Sequence, residues 1–579
     1  MDQVRRGQFT LSAHIGPQPP PATKPIPRSL PGDRPRMPAR SRPQRTVDAC
    51  IIGIGAAGAT AARVLAEAGL QVIGFERGPW LRHEEFPPDE LAVFNRYMFW
   101  PDPIHHPRTY RIDDSCSATR QSFCPVPSMV GGGTIHWSAW VPRMTLSDFK
   151  PRSLVGDVPG TSLVDWPIGY TELEPYYERA EIALGVAGQA GANLREAPRR
   201  SGFPLPPLPM SRHGRKFEQA CGTLGWNSSP MPQAIATRDY GGRPQTRHHG
   251  FVQQYGDPTG ALATAMNTML PPALETGRVE IRPNAYVTEV LLDRRGRAQG
   301  VVYIDENGQE ASQFADHIVL ACGAMETARL LLLSTSASFP DGLANSSGLV
   351  GRNLTLHEYT FAIGLFDDEP LNSWAASYEG VPTSFQFYEN DEQRGHVLGA
   401  LLSCSGLGHP INFTYPGRPT WGIAAKDVDR QYFSHSMKVG VLVQDLPQES
   451  NRVDLDPEAV DAWDIPVLRV THRAHPNDLA LGNWMVDRAA ELLDAAGAAK
   501  VMPVYIDRIT GNCAHQHGTA RMGDDPTTSV INRWCRAHDV PNLSIFDGSG
   551  FPTSTGVNPT LTIMANAWRC AEALVHAAS

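Results

Sequence analysis

No stretch of this 579-residue chain holds the ~20 consecutive apolar residues that a membrane-spanning helix needs. The longest apolar candidate, Ile318 to Leu333, is broken by Glu326 and Arg329. A basic excess is also missing. The net charge is −9, which argues against a general nucleic-acid binder. The nine cysteines lack metal-ligand spacing, so no metal site is expected and they read as buried thiols. Cys116 and Cys124 are the closest pair, and nothing in the sequence supports a disulfide between them. Internal repeats are absent. What remains, 41 % hydrophobic and 19 % charged residues, is the composition of a globular enzyme with a large core and several structural units.

Residues 1–46 stand apart. Pro17, Pro19, Pro20, Pro21, Pro25 and Pro27 crowd together among arginines, so an extended or disordered arm is expected there. Such a basic arm can dock on an acidic partner or a second subunit. Arg5-Arg6 is not followed by an apolar h-region, so it does not read as an export signal. A cytoplasmic location is expected, with export alongside a partner subunit left open.

Residues 48 to 78 read as strand, helix, strand. Ala49 to Ile52 is apolar, Ala56 to Ala68 is rich in alanine, Gly69 stops the helix, and Gln71 to Phe75 is apolar again. Between the first strand and the helix stand Gly53, Gly55 and Gly58. The first allows the tight turn, the second lets backbone approach a pyrophosphate, and the third lets helix and strand pack. The helix start offers free N–H groups to phosphates. Glu76 ends the second strand, where a carboxylate bonds ribose hydroxyls and repels a 2′-phosphate; Arg77 alongside weakens that repulsion. Dinucleotide binding follows, and this motif alone does not separate FAD from NAD.

Further on, residues 80 to 160 lack periodicity and suit a long loop region. Helices are expected at Tyr170 to Ala187 and Arg215 to Leu224. Residues 279 to 304 look like an antiparallel β unit, His317 to Ala321 like a buried strand, and Gly323 to Leu333 like a helix. Residues 355 to 505 read as a separate sheet-containing unit. The expected fold class is therefore α/β: a discontinuous Rossmann-type dinucleotide domain from 47–160, 275–355 and 505–579. An α+β substrate domain from 161–274 and 356–504 is inserted in it.

About 450 residues after the glycine motif comes His515-Gln-His-Gly-Thr-Ala-Arg-Met-Gly523, followed by Gly556-Val-Asn558-Pro559-Thr560. Oxidising an alcohol removes a hydroxyl proton, and imidazole is the natural base near neutral pH. An Asn can bond the same hydroxyl and orient it. Asn558 and Pro559 also suit the N-cap and first turn of a helix whose positive end would face the site. Arg521 reads as a member of a buried ion pair. His248-His249 reads as a surface or substrate-contact pair before a metal site.

A dinucleotide grip followed at this distance by a His and an Asn resembles the glucose–methanol–choline (GMC) family of FAD oxidoreductases. The resemblance covers nearly the whole chain after residue 47. Val130-Gly131-Gly132-Gly133-Thr134-Ile135-His136-Trp137 resembles the family's second flavin-contacting stretch, and Ala285-Tyr286-Val287 the strand that meets the adenine. Cys322-Gly323-Ala324-Met325-Glu326-Thr327-Ala328 resembles the next signature. Gly348 to Leu354 and Asp547-Gly548-Ser549 match two more. The resemblance implies FAD as cofactor, with Gly132, Gly133, His136, Val287, Gly323, Asp547, Gly548, Pro559 and Thr560 around it.

It further implies His515 as base, Asn558 as its partner, a structural role for His517, and hydride transfer from a sugar, glycoside or polyol to flavin N5. In some relatives the His at the place of His136 is covalently bonded to the flavin; in others it packs beside it. Some relatives carry a Cys-rich iron–sulfur stretch where this chain has Thr246-Arg-His-His-Gly, without cysteine, so no cluster is expected. Trp137, Trp140, Trp374 and Trp421 could stack on sugar rings or belong to the core. A lyase or a redox-inactive flavin-binding protein are the alternatives. Whether oxygen, an accessory subunit, a cytochrome or a quinone takes the electrons stays open, as does an oligomer.

Overall fold

The structure, a computed structural model, describes residues 9–10, 44–86, 89–95, 98–247, 255–373, 379–406, 413–507 and 513–578. Most of the N-terminal arm, His248-His249 and Trp374 lie outside the described residues. In chain order the strands used below are β1 (Gln44–Ile52), β2 (Val72–Phe75), β3 (Val279–Arg282), β4 (Tyr286–Leu292), β5 (Ala298–Ile304), β6 (Glu310–Leu320), β7 (His357–Leu365), β8 (Ala400–Ser405), β9 (Ser436–Gln444), β10 (Lys500–Tyr505) and β11 (Leu543–Ile545). The helices are α1 (Ala56–Glu67), α2 (Ala324–Leu333), α3 (Pro476–Ala495) and α4 (Thr560–Ala578).

The first sheet runs β3-β2-β1-β6-β5-β4, with β11 also on β6. β6 forks. Its first half pairs antiparallel with β5, and its end, Ile318 to Leu320, lies parallel between β1 and β11. Strands from three distant segments thus form the parallel part of one mixed sheet. The buried positions of β1 and β2 form continuous apolar runs, as a sheet covered on both faces requires. α1 and α4 pack together against it, with Leu65, Leu561, Met564 and Ala565 fully buried.

The second sheet has β10, β7, β9 and β8 as successive neighbours, all antiparallel. One face carries Val439, Val441 and Val443 onto α3, whose Leu481, Met485 and Leu492 are buried there. Its other face turns towards the first sheet. The alternation of period two in β9 sets this division.

Several expectations shift. The 279–304 unit is not all antiparallel: β3 pairs in parallel with β2, and only β4 and β5 form a hairpin. The helix expected at Tyr170 to Ala187 stops at Leu184, because Gly185 adopts φ 61° and ends it. The next helix begins at Arg212, where the Ser211 side chain accepts from the Gly214 N–H. The 80–160 loop region contains Thr109–Arg111 and Thr119–Arg120, which join Arg452–Val460 and Pro466–Thr471 in a third sheet. Strands that short leave no alternation to read. All nine cysteines are free. No helix among the described residues is long and apolar enough to cross a membrane.

Candidate active site

The dinucleotide turn is built by backbone. Gly53 has φ 89°, and a Cβ there would stand 2.5 Å from the Ala321 carbonyl oxygen. Gly55 and Gly132 face each other: a Cβ on Gly132 would lie 2.8 Å from the Gly55 Cα. The two glycine stretches are therefore one surface, joined also by the Gly131 N–H donating to the Ile54 carbonyl at 2.7 Å. No side chain caps α1, so its first N–H groups, at Ala56 and Ala57, open onto the cavity. Glu76 closes the turn. Its carboxylate accepts from the Ile54 N–H at 3.1 Å and the Gly78 N–H at 3.0 Å. Burial pushes its pKa up against those two bonds.

One cavity of about 940 Å³ collects nearly every residue expected at the cofactor or the reacting group. Gly53, Gly55, Glu76, Gly132, Gly133, His136, Val287, Gly323, Asp547, Gly548, Pro559, Thr560, His515 and Asn558 all line it. Gly58 does not; it packs behind the turn. Asp547 is fixed by the Gly323 N–H at 2.9 Å, the Thr327 hydroxyl at 2.6 Å and Ser549. His136 is buried, with the ring edges of Phe86 and Phe99 against it. Beside Glu76, Arg77 is engaged by Glu326 at 3.4 Å and by the Ser128 hydroxyl at 2.9 Å. Burial alone would raise Glu326, but Arg77, Arg108 and Arg329 outweigh it and hold the carboxyl well below the usual range.

At the other end stands a histidine pair. His357, on β7, faces the carbonyl oxygens of Ser554 at 3.0 Å and Thr555 at 2.9 Å with its Nε2. Carbonyls only accept, so that nitrogen carries the proton. The Nδ1 of a neutral His357 is then an acceptor, and His515 Nδ1 lies 2.8 Å from it. His515 must donate from Nδ1, which leaves its Nε2 with a bare lone pair. Burial, partly offset by the two carbonyl bonds, brings His357 down to about 4, so it is neutral near pH 7. Burial and the neighbouring His357 hold His515 well below the ordinary value.

The bare Nε2 stands 3.5 Å from Asn558 Nδ2. A hydroxyl placed at both would lose its proton to His515 and accept a bond from Asn558. Cys513 also lies near the two rings. Two imidazoles on one tetrahedral zinc, at ~2.0–2.1 Å bonds, would hold their nitrogens about 3.3 Å apart. The observed 2.8 Å is the spacing of a shared proton. The Cys513 thiol is pushed up to about 12 by burial, against the thiolate a metal would need.

Two expectations are corrected. Asn558 does not cap α4, which starts at Thr560; its Oδ1 is buried without a hydrogen-bond partner among the described residues. Pro559 supplies the first helical carbonyl, to Ile563 at 2.9 Å, and the helix start still faces the cavity. Arg521 is not in an ion pair among the described residues; it donates to the carbonyls of Thr528 and Ser162. His517 lies outside the cavity lining, fully buried, and stacks on Phe551 at 5.6 Å. Trp137 and Trp140 line the cavity, whereas Trp421 is 85 % exposed elsewhere.

His357 was not foreseen. It lies 158 residues from His515, and no spacing rule links them. The geometry makes it a positioning residue. Replacing it with Leu removes the acceptor that fixes the His515 tautomer. Turnover at the site should then fall on the order of 10–100-fold, the usual cost of losing an imidazole's orienting partner. The acid limb of the rate profile should also rise towards the ordinary histidine range. His357→Asn, which keeps an acceptor near Nδ1, should restore most of both. An unchanged rate and pH profile in the Leu variant would exclude this role.

The site has the parts of a dinucleotide-dependent oxidoreductase: a glycine-built dinucleotide cradle and a neutral imidazole paired with an amide at its far end. Family models described as GMC oxidoreductase match residues 47–359 and 447–567. The chain belongs to that family and is an oxidoreductase. It is 33 % identical over 536 residues to 2-methyl-1,2-propanediol dehydrogenase of Mycolicibacterium austroafricanum, covering 91 % of this chain and 94 % of that protein. It is 29 % identical to the gluconate 2-dehydrogenase flavoprotein of Pantoea cypripedii, covering 92 % and 94 %. Among solved structures, pyridoxine 4-oxidase from Mesorbium loti superposes with a TM-score of 0.61 at 18 % identity, over 91 % of this chain and 99 % of that one. That likeness concerns the fold alone.

Proposed function

We propose that this chain oxidises the CH–OH group of a sugar, glycoside or polyol to a carbonyl with FAD as cofactor. The observation that carries the reading is the bare Nε2 of His515 facing Asn558 across 3.5 Å at the cavity wall, its tautomer set by His357. The residues present fit FAD. Gly53, Gly55 and Gly132 let the two turns pack backbone on backbone as one cavity wall, α1 offers uncapped N–H groups to phosphates, and Glu76 lines the cavity at the end of β2, in reach of a ribose. When bound, FAD supplies the hydride acceptor. Asn558 orients the hydroxyl, His515 Nε2 takes its proton, and α4 presents its positive end to the site. We assign 47–160, 275–355 and 505–579 to the cofactor half and 161–274 and 356–504 to the substrate half.

The test is anaerobic mixing of the purified yellow protein with a panel of sugars, glycosides and polyols. At least one should bleach the oxidised-flavin absorption. A lyase or a redox-inactive protein would bleach with none, and a colourless protein that FAD cannot reconstitute would remove the cofactor. Reoxidation by oxygen within a turnover identifies an oxidase. Persistence of the reduced form identifies a dehydrogenase that passes electrons to another acceptor, such as a cytochrome or accessory subunit. We propose that His136 packs beside the ring unbonded, so acid precipitation should leave the colour in solution. Colour in the pellet that His136→Ala releases would mean a covalent bond.

A further inference from the structure

The wall of the cavity opposite the dinucleotide turn is the inner face of β7, β8 and β9. Register places Ser405, Lys438 and Ile363 side by side, then Ser403, Gly440 and Phe361, then Leu401, Leu442 and Tyr359. Tyr359, Ser403, Ser405 and Lys438 all line the cavity. Gly440 makes room: a Cβ there would stand 2.6 Å from the Tyr359 hydroxyl. The Tyr359 ring therefore lies along the sheet, and the Lys438 ammonium sits 5.4 Å from its centroid and 5.2 Å from that of Phe361.

This lysine has no carboxylate partner among the described residues. The three acids that line the cavity are all engaged elsewhere. Glu76 is held by backbone N–H groups, Glu326 by three arginines, and Asp547 by Gly323, Thr327 and Ser549. Two aromatic faces attract the ammonium but do not neutralise its charge. The hydroxyls of Ser403 and Ser405 stand on the same wall. An ammonium between ring faces and hydroxyls, with no counter-ion among the described residues, has the chemistry to receive an anion.

Its distance from the base limits which anion. Tyr359 and Phe361 follow His357 by two and four positions on β7. At ~3.3 Å per residue the ammonium stands roughly 7–13 Å along the strand from the His357–His515 pair. An extended chain gains ~1.2 Å per bond, so an acid of about five or six carbons, with its two hydrogen bonds, spans that gap. We propose that the substrate is a polyhydroxy carboxylate, a sugar acid, whose carboxylate pairs with Lys438 while a hydroxyl at the far end of its carbon chain meets His515 and Asn558. This deepens the reading of His515 as the base and rests on it. The carboxylate is bound and not transformed.

The test compares gluconate with glucitol, which carry the same carbon count with and without the charge, in anaerobic flavin reduction by the wild-type, Lys438→Met and Lys438→Arg holoenzymes. The wild type should prefer gluconate by ~10–100-fold in rate over dissociation constant, the range of one charge-assisted contact at ~1.5–3 kcal/mol. Lys438→Met should bring that ratio close to one, and Lys438→Arg should keep it within a few-fold. Added salt should shrink the wild-type ratio, a reading that needs no variant. The product carbonyl should lie at the carbon end remote from the carboxylate.

Equal use of both compounds, a ratio that survives Lys438→Met, or oxidation beside the carboxylate would overturn the proposal. A stronger preference for 6-phosphogluconate bound through its phosphate would replace the carboxylate by a phosphate ester. Hexanoate and hexanamide, which have no hydroxyl, separate this failure from that of the base assignment. Hexanoate should perturb the flavin spectrum in a Lys438-dependent way even where no alcohol bleaches it, and equal perturbation by both would reject the anion site alone.

Discussion

His515→Ala should slow reduction of the bound flavin by alcohol ~10²–10⁴-fold, the usual worth of a positioned general base, while leaving FAD content almost unchanged. The reasoning is geometric. The bare Nε2 is the nitrogen of the histidine pair that faces the cavity, and truncation removes this acceptor from beside Asn558. Asn558→Ala should cost less, because the amide orients the hydroxyl and does not take its proton. His517→Ala is the control: its ring is packed on Phe551 away from the cavity. Rapid-reaction absorbance of the anaerobic flavin measures all three. A nearly active His515→Ala beside a dead, FAD-loaded His517→Ala would move the base two positions along the chain.

The pH profile follows from the same burial. His515 is held well below the ordinary 6.5, so it is already neutral through the neutral range. The acid limb of kcat/KM should therefore lie below pH 6.5. The sign for stability is consistent. A histidine depressed in the folded state binds fewer protons than it does in the unfolded chain, so stability is retained above 6.5 and lost as pH falls towards the folded value. For His357 that window runs from 6.5 down to about 4.

How much of this was legible depended on whether a function was local in sequence. The Gly53/Gly55/Gly58 turn, Glu76 and the strands beside them are set by neighbours a few residues away, and period and glycine placement exposed them. Most of the expected cofactor residues converge because they follow a strand or precede a helix at one edge of the parallel strands, whereas Val287 lies at the start of β4 and His136 closes a short helical turn. Other features depended on contacts that sequence spacing does not carry. His357 reaches His515 only through the register of β7 against the Thr355–His517 bridge. Lys438 becomes a cavity residue through a one-in-two alternation on β9, and it stands out because no carboxylate pairs with it among the described residues. The parallel pairing of β3 is not visible in local sequence because its partner, β2, lies some 200 residues earlier. Residue preference alone marks Asn558 as a helix cap, a local signal overridden by the site it faces.

Gly58→Ala, the smallest change available, should strip the protein of most of its FAD and lower its melting temperature by several degrees. A Cβ at Gly58 would stand 1.9 Å from the Gly53 carbonyl oxygen, 3.0 Å from its carbon and 3.2 Å from Ile51 Cγ2. The first neighbour is backbone and cannot rotate away. To restore contact distance, α1 must retreat from the β1 turn by on the order of 1 Å, which costs at least the ~1–3 kcal/mol typical of overpacking. The retreat carries the uncapped N–H groups at Ala56 and Ala57 away from the phosphates they would bind. Bound FAD should fall to about a tenth of the wild-type ratio or less, because each ~1.4 kcal/mol of lost affinity is a factor of ten.

The paired control is Gly222→Ala. Gly222 sits in the Arg212–Leu224 helix with nothing within 4 Å of its Cβ position. There the same methyl should stabilise by ~0.5–1 kcal/mol, since alanine is the better helix former. Flavin-to-protein absorbance ratio after reconstitution, with thermal unfolding of both variants, reads the contrast. Full FAD content and an unshifted melting temperature in Gly58→Ala would mean that close packing of helix on turn is not what builds the phosphate site.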